Sequence, residues 1–166
     1  MVERRSIRSY LDKPVPRDLI EQVLQAAIYA PTGMGWQSPR IVAVTNRVLR
    51  NRLSQLNAQV MGVSSDPFYG APVVLVVLAD RTRPTYLYDG SLVIGNMLNA
   101  AHSLGLGSCW IHRAKEVFES SEGKELLSRW GITGDYEGIG HCILGFPAAA
   151  ASVPKPRKAD YIHWVE

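Results

Sequence analysis

A chain of 166 residues, 46% hydrophobic and 20% charged, has enough apolar material for one packed domain and is neither a disordered tail nor a fibre. Its formal net charge of +3 is mildly basic, but no long cationic helix and no interleaved aromatic stripe accompanies it, which argues against a nucleic-acid binder. The start, MVERRSIRSY, lacks an apolar leader, and the longest apolar run, Ala71 to Ala79, is far too short to span a bilayer, so a cytoplasmic location without membrane contact is expected.

In chain order, Arg17 to Ala30 puts Leu19, Ile20, Val23, Leu24, Ala27 and Ile28 on one face at helical spacing, and Pro31 ends that helix. Thr32 to Pro39 is a turn-rich loop between a helix end and a strand, a common place to handle a ligand. A short strand is predicted over Arg40 to Thr45 and a helix over Val48 to Met61, followed by a polar connection from Gly62 to Tyr69. The β-branched run Pro72 to Asp80 has the pattern of a strand buried on both faces.

Ser91 to Leu104 is apolar almost all round, as a core or interface helix would be, with Asp89 just ahead of it as the expected N-cap. Gly105 and Gly107 stop it before a strand over Ser108 to Ile111. A weaker helix over Lys115 to Trp130 is interrupted at Gly123, and Gly138 to Phe146 is the last strand. From Pro147 onward the Ala, Ser and Pro residues cannot pack a core of their own, so an extended tail over 147–166 must lie along something else, such as a partner subunit. Alternation of helix and strand by itself suggests a doubly wound parallel sheet.

Candidate chemistry sits at the two ends. Arg4, Arg5 and Arg8 surround a Ser6 hydroxyl, and Lys155, Arg157 and Lys158 are spaced by Pro156. An arginine fork donates two parallel hydrogen bonds and keeps its charge, which suits a phosphate. Pro154 and Pro156 stiffen the second cluster and leave Lys155 and Arg157 on one side of an extended backbone. Cys109 and Cys142 have no CxxC or zinc spacing, and the four histidines show no metal-ligand pattern, so no metal is expected. The glycines of GLGSCW follow a helix and precede a strand, the wrong order for a dinucleotide fingerprint.

Taken in order, RRSIRSYLDKPVP, LIEQVLQAAIYAPTGMGWQSPR, SLVIGNMLNAAHSLGLGSCWI, ILGFP and KPRK make a series resembling the FMN-dependent nitroreductase family over nearly the whole chain. The resemblance implies one α+β domain over 1–166, a three-layer α/β/α sandwich around a mostly antiparallel sheet, and an intertwined homodimer with FMN at its interface. It implies that Arg4, Arg5 and Ser6 meet the FMN phosphate and ribityl chain, that Lys155 and Arg157 complete the phosphate site, and that Arg8 reaches the N1 and O2 edge.

The resemblance also implies that Pro31, Thr32, Gly33 and Gly35 belong to a loop laid beside the ring by the neighbouring subunit. Trp110, Ile111 and His112 would offer backbone amides on the N5 side. No single side chain emerges as catalytic. The family's usual residues differ at Gly35 and Ser38-Pro39, and Ser64, Ser65 or Gln37 are the candidates for the pyrimidine edge. The implied activity is ping-pong transfer from NAD(P)H to an electron-poor small molecule such as a nitroaromatic or quinone. Substrate oxidation, reductive dehalogenation and a non-catalytic flavin-binding dimer are the alternatives.

Overall fold

The computed structural model describes residues 1–166. Five helices, α1 (Arg17–Ile28), α2 (Arg47–Met61), α3 (Tyr86–Ser103), α4 (Ala114–Glu119) and α5 (Ser121–Arg129), surround four strands. These are β1 (Pro39–Val44), β2 (Val73–Asp80), β3 (Gly107–Ile111) and β4 (Tyr136–Gly145), in the order β1-β2-β4-β3. Every neighbouring pair is antiparallel.

The parallel sheet suggested by alternation is therefore wrong, and the antiparallel α+β architecture is correct. Alternation counts elements but does not set where a connection returns. Here α2 leads away from the end of β1, and the segment 62–72 leads back, so Val44 pairs with Val74.

Strand β2 explains the layers. Val73, Leu75, Val77 and Ala79 point to a core shared with Ile20, Val23, Ala27, Val93, Ile94 and Met97 of α1 and α3. Val74, Val76 and Leu78 point the other way, to Leu53, Phe68, Val117, Phe118 and Leu126 on the side of α2, α4 and α5. A two-residue period with apolar side chains in both phases produces one sheet with helices on each face. Cys109 and Cys142 fall on opposite faces, so these buried free thiols cannot pair.

Two predicted boundaries moved for local reasons. Helix α3 begins at Tyr86, which places Asp89 inside its first turn; Thr85 occupies the N-cap position instead. The predicted helix over Lys115 to Trp130 breaks at Ser120, whose extended backbone ends α4 and whose Oγ accepts the Gly123 N–H at 3.0 Å to cap α5. Gly123 is no helix breaker: a Cβ there would lie 2.0 Å from the Val117 carbonyl oxygen, so glycine is what lets α5 fold back on α4.

The N-terminal segment is tied to the sheet rather than trailing. Ser6 bridges Ser108 in parallel, the Ile7 N–H donates to the Ser108 carbonyl at 2.9 Å, and Leu11 N–H donates to Phe146 at 2.9 Å. Gly107 and Gly145 admit the close approach, since a Cβ at either would press on Ile7 or Tyr10. The Ala148 N–H then donates to Ser9 at 3.0 Å, which roots the tail beside the chain start. Residues 151–166 are exposed throughout.

Candidate functional site

Arg4, Arg5 and Ser6 lie beside the start of β3, half-buried. The Arg5 Nη1 donates to the carbonyls of Val2 and Arg4, both at 2.7 Å, which curls the chain start over its own guanidinium. Arg5 Nε and Arg4 Nη1 are buried and have no hydrogen-bond partner. A buried cationic donor without an acceptor is costly, and an anion is the group that would satisfy it. Arg5 also lines a cavity of about 320 Å³ with Ile7, His102, Leu106, Ser108 and Ala149. Glu3 also lines it, so one carboxylate shares the cavity with the Arg5 guanidinium. These residues fit a phosphate ester.

Trp110, Ile111 and His112 continue along β3 toward its other end. Trp110 is half-buried because residue 140 is glycine: a Cβ there would sit 2.4 Å from the indole Nε1. The His112 carbonyl accepts from Asn57 Nδ2 at 2.8 Å, and Asn57 Oδ1 accepts from Arg113 Nε at 3.1 Å. Asn57 is fully buried on α2. It fixes the turn after β3, where Arg113 has a φ of 72°. Sequence reasoning missed Asn57, although an amide on the apolar face of a helix beside Leu53 and Leu56 is a readable signal.

Arg8 is exposed and free of salt bridges. Lys155 and Arg157 are exposed in the tail and contact no acceptor within this chain.

Pro31, Thr32, Gly33 and Gly35 are elsewhere. Their loop enters β1 at Pro39, opposite Ala79, which in turn pairs with Glu137 at the start of β4. The arginines lie at the far edge, by β3, and at the other end of β4, near Gly145. Three strand spacings across and eight residues along give a diagonal of about 30 Å. A ligand pocket is only about 10 Å across, so the two groups cannot meet on one ligand within one chain. Gln37 belongs to this distant loop, and Ser64 and Ser65 lie in the exposed bend after α2.

The loop itself is built rather than slack. Met34 and Gln37 have φ of 55° and 49°, which non-glycine residues rarely adopt and which tend to cluster at functional sites. Asp89 holds it, accepting from the Gly33 N–H at 3.0 Å and from Ser38 Oγ at 2.7 Å. Sequence reasoning gave Asp89 only a local capping role.

No helix is long and apolar enough to cross a membrane. The family model described as "Nitroreductase family" matches residues 1–68 and 55–146. A nitroreductase from Bacteroides fragilis, solved with bound FMN, superposes with a TM-score of 0.90 at 30% identity, covering 98% of this chain and 95% of that one. A protein of Methanothermobacter thermautotrophicus is 33% identical over 111 residues, 64% of this chain, and the match spans 56% of that relative's length. An FMN reductase [NAD(P)H] of Bacillus subtilis is 24% identical over 180 residues, covering 95% of this chain and 68% of its own length. With the family model and the superposition in agreement, the chain belongs to the nitroreductase family.

Proposed function

We propose that the protein is an FMN-dependent oxidoreductase that passes electrons from NAD(P)H to an electron-poor acceptor such as a nitroaromatic or quinone, acting as a homodimer. The observation that carries this reading is the pair of unpartnered buried donors, Arg4 Nη1 and Arg5 Nε, beside Ser6 at the edge of β3. Family membership supports it, as do the FMN held by the Bacteroides fragilis relative and the NAD(P)H use in the name of the Bacillus subtilis one.

When bound, FMN supplies hydride acceptance and donation, and the protein supplies binding, orientation and charge. Arg4, Arg5 and Ser6 would hold the phosphate, and Lys155 and Arg157 would add charge to it from the tail. Arg8 offers a positive charge to the N1 edge. Backbone amides of Trp110, Ile111 and His112 would face the N5 side, next to a turn that Asn57 ties through the His112 carbonyl.

The loop of Pro31 to Gly35 comes from the second copy, because in its own chain it lies at the opposite corner of the sheet. Two further observations favour a second copy. Tyr29, Met34 and Tyr88 are exposed around the loop, and Tyr161, Ile162 and Trp164 are exposed in the tail; such apolar surface is normally covered. Two buried free thiols suit a reducing cytoplasm.

One open ring face serving donor and acceptor in turn gives ping-pong kinetics. The test is anaerobic: the purified protein is expected to be yellow, to bleach on addition of NADH or NADPH, and to recover its colour with a quinone or nitroaromatic. A colourless protein that cannot be reconstituted with FMN contradicts the reading. A yellow protein that does not bleach is a flavin-binding dimer without this activity.

A further inference from the structure

Asp89 is 2% exposed and sits in the first turn of α3, where a carboxylate is favoured by the helix dipole. It has no cationic partner within salt-bridge distance. Its acceptor capacity goes to the loop instead. Oδ1 takes the Gly33 N–H at 3.0 Å, and Oδ2 takes the hydroxyls of Ser38 at 2.7 Å and Thr85 at 3.2 Å. Gly33 and Ser38 are the two ends of the loop, so one buried side chain staples both.

The fit between the loop and α3 is close. A Cβ on Gly33 would lie 2.2 Å from Thr85 Oγ1, so only glycine lets the loop rest on this helix start. Within the staple, the Gln37 N–H donates to Thr32 Oγ1 at 3.0 Å, and Arg83 stacks 5.1 Å from the Trp36 ring centre. Met34 and Gln37 at positive φ are costly conformations that persist only where the surroundings over-determine them. The outcome is a fixed loop that leaves Met34 85% exposed.

We propose that Asp89 is a positioning residue: by tying both ends of the Gly33–Ser38 loop it presents Met34 and Trp36 as a preset apolar wall over the open flavin face of the neighbouring protomer. This rests on the reading above that the loop borders the partner's flavin. A wall fixed in advance costs no ordering when a flat aromatic donor or acceptor docks against it. Asp89 thereby sets how tightly such molecules are held, without touching them.

The test compares the FMN-loaded wild type with Asp89→Ala and Asp89→Asn. In Asp89→Ala the Gly33 amide is expected to lose its hydrogen-exchange protection, and KM for nicotinamide and acceptor to rise together by about tenfold, with kcat and FMN affinity changing far less. Asp89→Asn keeps the shape and an acceptor oxygen and is expected to recover most of both. Ser38→Ala removes one bond of the staple and gives a milder version of the same changes should the alanine variant fail to fold.

Unchanged Gly33 protection or unchanged KM values in these variants overturn the role of Asp89. FMN affinity falling in step with the KM change overturns it too, because the variant would then have lost the flavin site as a whole rather than the ordering of one wall. A wild-type protein that takes up no FMN overturns instead the reading on which the proposal rests.

Discussion

Replacing Arg4 and Arg5 together by alanine is expected to weaken FMN binding by about a hundredfold, since hydrogen bonds to charged groups are worth about 1.5–3 kcal/mol each. The buried nitrogens Arg4 Nη1 and Arg5 Nε have no partner to lose, and the two bonds Arg5 Nη1 makes, to the carbonyls of Val2 and Arg4, tie only the chain start to itself. Thermal stability of the FMN-free protein should therefore hold, or rise slightly, as two unsatisfied donors disappear. Flavin fluorescence titration of both proteins checks the affinity, and a melting curve checks the stability. Lysine at both positions keeps the charge but not the fork, and is expected to recover only part of the binding. Equal affinity in wild type and the double alanine variant would move the phosphate away from this end of β3.

The second large effect is on stability against pH, and it comes from His141. This residue is fully buried at the middle of β4, with the Phe68 ring 5.1 Å and the Phe118 ring 6.1 Å from its own. Neither ring nitrogen has a hydrogen bond of good geometry. Burial depresses its pKa from the ordinary 6.5 to about 4; the Ile111 backbone pushes weakly the other way, Arg113 lowers it further, and the His112 backbone raises it slightly.

In the unfolded chain the same imidazole takes a proton near 6.5, so between these values the unfolded state binds more protons than the folded one. Stability is thus fully present above pH 6.5 and drains away as pH falls toward 4, by about 3 kcal/mol in all. Asp66 acts at lower pH. Burial would raise its pKa, but hydrogen bonds from Arg50, Ser54, Gly70 and Phe68 outweigh that and lower it from 3.8. Its contribution is lost only below that range. Urea unfolding at a series of pH values should show the slope between 6.5 and 4, and His141→Leu should flatten it. A wild-type profile flat across that window would show that the imidazole is not held neutral by burial.

Much of the fold was legible. The β-branched run at Pro72 to Asp80 reads as a strand buried on both faces, and the almost all-round apolar stretch Ser91 to Leu104 as a core or interface helix, which α3 bears out with Val93, Ile94, Met97 and Ala101 in the core. What periodicity could not give was strand direction, because the path of 62–72 back to the end of β1 leaves no mark in the hydrophobic pattern. The break at Ser120 was hidden by Gly123, a residue that reads locally as a helix breaker but is required by the Val117 carbonyl pressed against it.

The site divides the same way. Arg4, Arg5 and Ser6 stood out as candidates, because clustered guanidinium groups suit a phosphate. Asp89 did not, since local rules offer a carboxylate at a helix start a cap, whereas its real partners Gly33 and Ser38 lie 56 and 51 residues away. Asn57 carried a local sign of burial beside Leu53 and Leu56, but its partners, the backbone of His112 and the side chain of Arg113, lie beyond the reach of any local pattern.

In the proposed site two chains complete one flavin pocket, with the arginines from one and the Gly33 loop from the other. FMN titration across a dilution series, with the oligomeric state followed by sedimentation, tests this most directly. FMN should bind at one per chain in a dimer, its affinity should fall as the protein is diluted into monomers, and added FMN should shift the equilibrium back to the dimer. A monomer that binds FMN as tightly as the dimer does would contradict it.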